Sequence, residues 1–381
     1  MHTFLRVALF LLVATTASAQ TGVAPTRTWD ELKQETQARA ERNAYPVGGL
    51  PPAEVAEALS RISSLDPDQW AAAFSAIGQR HFERAEYLMA WRFYSFAAWP
   101  VTNSPGKREA YRKSIEAFRK YAALTESPPE TVRIPFEGSE IAGYLGLPAG
   151  ARPAPLVMLI AGLDSRKENG AERGPAYLAR GLGYLALDLP GTGESQLKVD
   201  ADAVRVFSLV LDWLQARRDV DATRIAVQGS SWGSHWTARL AFVERARLRA
   251  AVVQGGPVHG YFQPDWQRKA LQSREYLFDL FAARAGLYGS GTMEAFLAWG
   301  PRLSLQTAGL LDQPSTRMLL VNGKGDSQVP IDDLYLLLHH GTPKEAWVNP
   351  QGGHMGRSRD WPDERIFREV VLPWLENALR P

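Results

Sequence analysis

Ile225-Ala226-Val227-Gln228-Gly229-Ser230-Ser231-Trp232-Gly233 is the stretch on which the fold turns. A short apolar run enters a Gly-x-Ser-x-Gly turn, and a helix-compatible stretch follows. In a sharp strand-to-helix elbow the neighbouring backbones come so close that glycine is required on both sides, and the serine hydroxyl is left exposed at the sheet edge. An ordinary Gly/Ser turn carries the same pattern. Chain order separates the two readings, because Asp326 and His354 follow Ser231 in the order nucleophile, acid, histidine.

A serine hydroxyl is a poor nucleophile at neutral pH. It needs a histidine to take its proton and an acid to hold that histidine in the productive tautomer. Asp326 lies in Asn322-Gly323-Lys324-Gly325-Asp326-Ser327-Gln328-Val329-Pro330, directly after a strongly apolar run, where a loop at a strand's carboxyl end presents its carboxylate beside other catalytic loops. Asp332 and Asp333 are rivals, read as helix-dipole residues at a helix start. His354 lies in Gln351-Gly352-Gly353-His354-Met355-Gly356, a glycine-flanked loop from which an imidazole can reach Ser231. His339 and His340 read as helix-end residues and His235 as structural.

Acyl transfer also needs donors for the developing oxyanion, each worth about 3 kcal/mol. The Trp232 amide fits, as does one from the loop Ala161-Gly162-Leu163-Asp164, with Gly162 and Leu163 as candidates. Asp164 and Glu168 are expected near the pocket, the alternative being a solvated loop paired with Arg166 and Lys167. His259, Tyr261 and Trp266 are expected to line it. The turn 188–195 is Gly-rich but lacks a P-loop lysine, and no histidine pair has metal-ligand spacing, so no phosphate cradle, metal or other cofactor is expected.

With 381 residues and a formal net charge of +2, the chain suits a small-molecule substrate better than nucleic acid. Arg6, the apolar run 7–14 and Ala17-Ser18-Ala19 have the layout of a signal peptide, with an apolar core too short to span a bilayer. Cleavage after Ala19 would make Gln20 the first residue of an exported protein, periplasmic or secreted, with no stable membrane anchor. An uncleaved anchor is the alternative. The sequence has no cysteine, which excludes disulfides, thiol catalysis and a lipoprotein anchor and leaves stability to the core.

After a polar approach over 21–52, residues 52–125 carry helix-type spacing. Asp66-Pro67-Asp68 reads as a capped start, and 108–124 sets Tyr111, Ile115, Phe118 and Ala122 on one face. The stretch 87–99 is aromatic all round, the mark of a helix buried on two sides or of one whose edge roofs a pocket at a domain junction. Ser127-Pro128-Pro129 breaks the pattern and divides a helical domain (20–128) from a second domain (129–381). There 131–136 and 141–147 read as a hairpin, with Pro135 marking an edge strand. Apolar runs at 156–161, 184–187, 225–227, 250–253, 318–321 and 346–348 then alternate with helix patterns up to a final helix at 363–379, which predicts a mostly parallel, doubly wound α/β sheet. The long stretch between the runs at 250–253 and 318–321 predicts a helical cap insertion at about 257–311.

With these motifs in place, the chain from about Asp66 onward resembles the α/β-hydrolases with an N-terminal helical domain, the group of the fermentation-respiration switch protein, 2,6-dihydroxypseudooxynicotine hydrolase and the fungal polyketide-shortening hydrolases. The residues that carry the resemblance are the aromatic 87–99 helix, Ala161-Gly162-Leu163-Asp164-Ser165-Arg166-Lys167-Glu168, Asp188-Leu189-Pro190-Gly191-Thr192-Gly193, and the Ser231, Asp326 and His354 loops. The resemblance implies a triad hydrolase in which Asp164 stands where the pseudooxynicotine enzyme carries a glutamate that assists carbon-carbon cleavage.

The leading expectation is a serine hydrolase that cleaves a carboxylic ester of a small, largely apolar or aromatic substrate through an acyl-serine intermediate. Hydrolysis of a carbon-carbon bond in a β-dicarbonyl or acyl-aromatic, polyketide-like substrate stays open. So does a secreted peptidase of the prolyl-oligopeptidase type, although the chain lacks a β-propeller segment. A binding protein with a decayed site is the non-enzyme alternative, and a homodimer is an open possibility.

Overall fold

The computed structural model describes residues 26–150, 153–195, 197–340 and 344–381. The expected signal peptide, its cleavage site and Gln20 lie outside the described residues. Five helices lead: α1 (Trp29–Glu41), α2 (Pro52–Ser60), α3 (Pro67–Glu83), α4 (Tyr87–Ala98) and α5 (Pro105–Ala122). Eight strands follow: β1 (Glu130–Phe136), β2 (Ser139–Gly146), β3 (Ala154–Ile160), β4 (Gly183–Leu187), β5 (Val220–Ser230), β6 (Ala250–Gln254), β7 (Met318–Gly323) and β8 (Lys344–Asn349). Between and after them run α6 (Lys167–Glu172), α7 (Gly174–Leu178), α8 (Arg205–Gln215), α9 (Trp232–Val243), α10 (Pro264–Leu271), α11 (Leu280–Tyr288), α12 (Met293–Trp299), α13 (Ile331–His339), α14 (Asp363–Ile366) and α15 (Leu372–Ala378).

The strands form one sheet in the order β1-β2-β4-β3-β5-β6-β7-β8, antiparallel through β1, β2 and β4 and parallel from there on. The alternation along each central strand explains why the sheet is covered on both sides. Leu156, Met158 and Ile160 of β3 join one buried cluster with α8, α9 and the 257–311 insertion, and Val157 and Leu159 join another. Alternate side chains of a strand point to opposite faces, so an uninterrupted apolar run is what a doubly covered strand requires.

The insertion between β6 and β7 is helical, carrying α10, α11 and α12, as expected. Asp333 of α13 fixes its start. Its carboxylate is buried and accepts the amides of Val258 (2.8 Å), His259 (3.2 Å), Gly260 (2.6 Å) and Tyr261 (3.1 Å). Asp333 is therefore a staple, not the helix-dipole residue its position suggested; burial pushes its carboxyl above the ordinary range although the four amides pull it down. Asp333→Ala leaves those amides without their acceptor and is expected to cost about 3 kcal/mol in denaturant unfolding, with Asp333→Asn losing less.

The aromatic helix α4 is buried on two sides. Trp91 and Tyr94 pack with the sheet, whereas Phe93, Phe96 and Ala97 pack with α3. One element differs from the sequence reading. The 21–52 approach contains α1, set by a capping box in which the Glu31 amide donates to Thr28 Oγ1 (3.3 Å) and the Thr28 amide to Glu31 Oε2 (2.8 Å). The final helix runs from Asp363 to Ala378 as expected, with one wider turn at Phe367–Val371 joining α14 to α15, where Pro373 has no N–H to give to the preceding turn.

Candidate active site

β5 delivers Ser231 into the elbow with φ 51° and ψ −120°, and α9 begins at the next residue. The flanking glycines are steric necessities. A Cβ on Gly229 would sit 2.5 Å from the Gly233 backbone, and one on Gly233 would sit 2.3 Å from the Ile160 carbonyl. The strained serine is pinned by its own amide, which donates to the Gln254 carbonyl at 2.8 Å.

The acid and the histidine are brought together by backbone contact between their loops. Gly325 N–H donates to Gly352 O (2.9 Å) and Lys324 N–H to Asn349 O (2.9 Å), and a Cβ on Gly323 would lie 2.3 Å from Gly352. His354 Nδ1–H donates to Asp326 Oδ2 at 2.8 Å, and Nε2 accepts the Ser231 hydroxyl at 2.8 Å. Asp326 is further fixed by the amides of Gln328 (2.7 Å) and Val329 (3.0 Å) and by Asn322 Nδ2 (2.9 Å). Burial opposes its ionisation, but His354 and these donors outweigh burial and hold the carboxyl below the ordinary range. A depressed folded value contributes stability that is complete above the unfolded carboxyl's pKa, about 4, and drains away as pH falls through the folded value. Plotting denaturant midpoints against pH should therefore show an acid slope that Asp326→Asn lacks in part.

Trp232 is the first residue of α9, so its amide has no intrahelical acceptor and is available for an oxyanion. On the opposite wall Gly162 brings its loop against the nucleophile: a Cβ there would be 3.4 Å from Ser231 Cβ. The Gly162 amide, however, is taken by Ser165 Oγ at 2.8 Å. Of the two loop candidates, the Leu163 amide is the one not engaged in this way.

Residues 74–346 match the family described as "Esterase FrsA-like". The chain belongs to the FrsA-like esterase family. The Esterase FrsA of Vibrio cholerae serotype O1 is 28% identical over 368 residues, covering 87% of this chain and 85% of that protein. The Esterase FrsA of Enterobacter sp. (strain 638) is 33% identical over 231 residues, covering 59% of this chain and only 55% of that protein's length. Among solved structures, AbyA5 superposes with a TM-score of 0.72 at 23% identity over 85% of this chain and 94% of that one. The 2,6-dihydroxy-pseudo-oxynicotine hydrolase does so with a TM-score of 0.69 at 21% identity, covering 90% and 95%. These likenesses establish the α/β-hydrolase fold.

Within this FrsA-like chain, the remaining expected site residues divide. Asp164 is at the site, its Oδ2 accepting the Tyr45 hydroxyl and, at 3.2 Å, the Trp99 indole N–H. Glu168 is not: it is 1% exposed and turns inward to Lys167 Nζ at 2.9 Å, because α6 starts at Lys167 and rotates the next residue into the core. The solvated-loop alternative fails as well, since Lys167 is itself buried. Tyr261 is buried beneath the elbow, where its hydroxyl accepts the Trp232 indole N–H at 2.7 Å; it braces the residue after the nucleophile and does not face a pocket. His259 turns to Ser304 Oγ at 2.8 Å. Trp266 lines an open surface cleft of about 650 Å³ behind Asp326 and donates to Gln328 O at 3.1 Å. His235 is buried against the Pro257 carbonyl (3.2 Å), and burial pulls its pKa down to about 3, so it is a neutral structural ring.

Sequence reading missed Tyr45, Asn322 and Glu275. Asn322 was legible in principle as a polar residue closing an apolar strand; Tyr45 and Glu275 reach the site from segments far away in the chain and left no local signal. Among the described residues no cluster of His, Asp and Glu is arranged to hold a metal ion, and no helix is long and apolar enough to cross a membrane.

Proposed function

We propose that this chain hydrolyses a carboxylic ester of a small, largely apolar or aromatic substrate through an acyl-serine intermediate. The observation that supports the reading most is the unbroken relay Ser231–His354–Asp326, with both links at 2.8 Å. In this reading His354 Nε2 takes the Ser231 proton as Oγ attacks the ester carbonyl carbon. The oxyanion rests on the Trp232 and Leu163 amides. Collapse breaks the bond to the alcohol, which leaves with the proton from His354. Water, deprotonated by the same ring, then attacks the acyl-serine carbonyl; the bond to Oγ breaks, Oγ takes back its proton from His354, and the acid leaves. Asp326 stays ionised throughout and holds the ring.

A recess of about 200 Å³ lies where the loop 164–166 faces Tyr45, Trp91, Phe96 and Trp99, with Arg92, Asn169 and Glu172 also in its wall; its aromatic side supports an aromatic group on the substrate. The family match to esterases favours the ester over carbon-carbon cleavage. The test is turnover of p-nitrophenyl acetate and butyrate together with fluorophosphonate labelling. Turnover and a label on Ser231, both absent in Ser231→Ala, are expected, and an unlabelled Ser231 would overturn the reading. Export is part of the proposal: N-terminal sequencing of the protein recovered from the periplasm or medium should begin at Gln20.

A further inference from the structure

One side chain of the cap bonds to both the acid's loop and the base's loop. Glu275 stands between α10 and α11; its Oε1 accepts the His354 amide at 3.1 Å, and its Oε2 accepts the Ser327 hydroxyl at 2.6 Å. Ser327 follows the catalytic acid and also meets Ser273 Oγ at 2.8 Å. A single carboxylate thus ties the loop carrying the acid to the loop carrying the base. The base's loop needs such a tie. It is glycine-rich, and Met355, the residue after His354, sits at φ 64°, a conformation that a non-glycine residue keeps only when its surroundings impose it.

The cap loop is held in turn from the other end of the chain. Arg27, buried just before α1, donates to the carbonyls of Tyr276 (2.6 Å), Leu277 (3.1 Å) and Arg274, the residues flanking Glu275. Arg274 also pairs with Glu31 of α1 at 2.8 Å. Main-chain carbonyls gripped by a guanidinium cannot drift without breaking several charge-assisted bonds at once.

We infer that Glu275 is a positioning residue for the reaction: it sets the His354 loop against the Asp326 loop, and Arg27 holds it in place, so the cap and the N-terminal segment both act on the triad. The inference rests on the esterase reading of the site. Glutamine preserves the arrangement without the charge, because its carbonyl accepts from the His354 amide while its NH₂ donates to Ser327 Oγ, which then donates to Ser273.

The experiment compares Glu275→Ala, Glu275→Gln, Ser327→Ala and Arg27→Ala in two assays: p-nitrophenyl butyrate turnover and the rate of fluorophosphonate labelling of Ser231. All are read well below each variant's melting temperature. Glu275→Ala is expected to lower kcat and the labelling rate by about 10²-fold with KM nearly unchanged, the scale of a displacement of roughly 1 Å in a catalytic group. Glu275→Gln should recover to within about threefold of the parent, and Ser327→Ala and Arg27→Ala should each lose about tenfold in kcat. Wild-type labelling kinetics in folded Glu275→Ala, a loss confined to KM, or a Gln variant as impaired as Ala would overturn the inference. Should Glu275→Ala fail to fold, undiminished labelling of Ser327→Ala does the same. Ester turnover can fail while Ser231 still labels; the ester reading then falls, and the labelling rates still decide the role of Glu275.

Discussion

Ser231→Ala is expected to lower kcat by about 10⁵-fold while changing KM by less than about threefold. Alanine removes the only atom that forms the acyl bond and leaves the Trp232 and Leu163 donors, the recess and the His354–Asp326 pair in place. Binding persists, and what remains is the modest rate that a positioned oxyanion site gives to direct water attack. The elbow adds a stability expectation that an ordinary loop serine would not. At φ 51° and ψ −120° a side-chain-bearing residue stores about 1–3 kcal/mol of backbone strain. Alanine keeps that strain; glycine sheds it, less roughly 0.5–1 kcal/mol of extra chain entropy in the unfolded state. Ser231→Gly should therefore be about 1 kcal/mol more stable than Ser231→Ala in denaturant unfolding, with both equally inactive. Retention by Ser231→Ala of more than about a hundredth of the parental kcat would mean that the nucleophile is elsewhere.

What could be read in the sequence was whatever local geometry forces onto residue type. The elbow glycines are dictated by backbone contacts below 3 Å, and the Asp326 and His354 loops by glycines at Gly323 and Gly352 that touch each other. Apolar runs marked β3, β4, β6 and β7 because those strands are buried on both faces, whereas β8 lies at the sheet edge and is half-exposed. The errors fall where side-chain direction depends on where a helix starts or on partners far away in the chain. Glu168 lies four residues after Asp164, close enough in sequence to share its pocket, yet the start of α6 at Lys167 turns it into the core. Tyr45 meets Asp164 across 119 residues and Arg27 meets Leu277 across 250, separations at which no periodicity or motif carries information. Helix α1 was missed because its evidence is polar, a Thr28–Glu31 capping box in a stretch read for apolar spacing.

The same inward turn of α6 sets the second large effect, which falls on stability. The Lys167 side chain is 1% exposed, and its Nζ lies 2.9 Å from Glu168 Oε1, 3.0 Å from Asp188 Oδ2 and 2.8 Å from Glu194 Oε2 and donates to Tyr111 Oη at 3.2 Å. One ammonium thus faces three carboxyls at the junction of α5 with the sheet. Burial disfavours the Lys167 charge, but the surrounding acids prevail and raise its pKa well above the ordinary range. Glu168, desolvated and beside Asp188, is pushed upward although Lys167 pulls it down. Lys167→Met strands the acids without their counter-charge. Removing one partner from a buried ion cluster costs about 3–5 kcal/mol, so a fall in melting temperature of roughly 10 °C is expected. The sign follows from the raised lysine value: the stabilisation is complete below the unfolded lysine pKa, about 10.4, and is lost only as pH climbs through the higher folded value, so the deficit persists across neutral pH. Lys167→Met combined with Glu168→Leu replaces a charge and its counter-charge by apolar groups of similar size and should recover at least about 2 kcal/mol of the loss. A single Lys167→Met variant within about 1 kcal/mol of the parent would show that the three carboxyls are protonated or solvated in the folded protein, and that Lys167 does not hold α5 to the sheet.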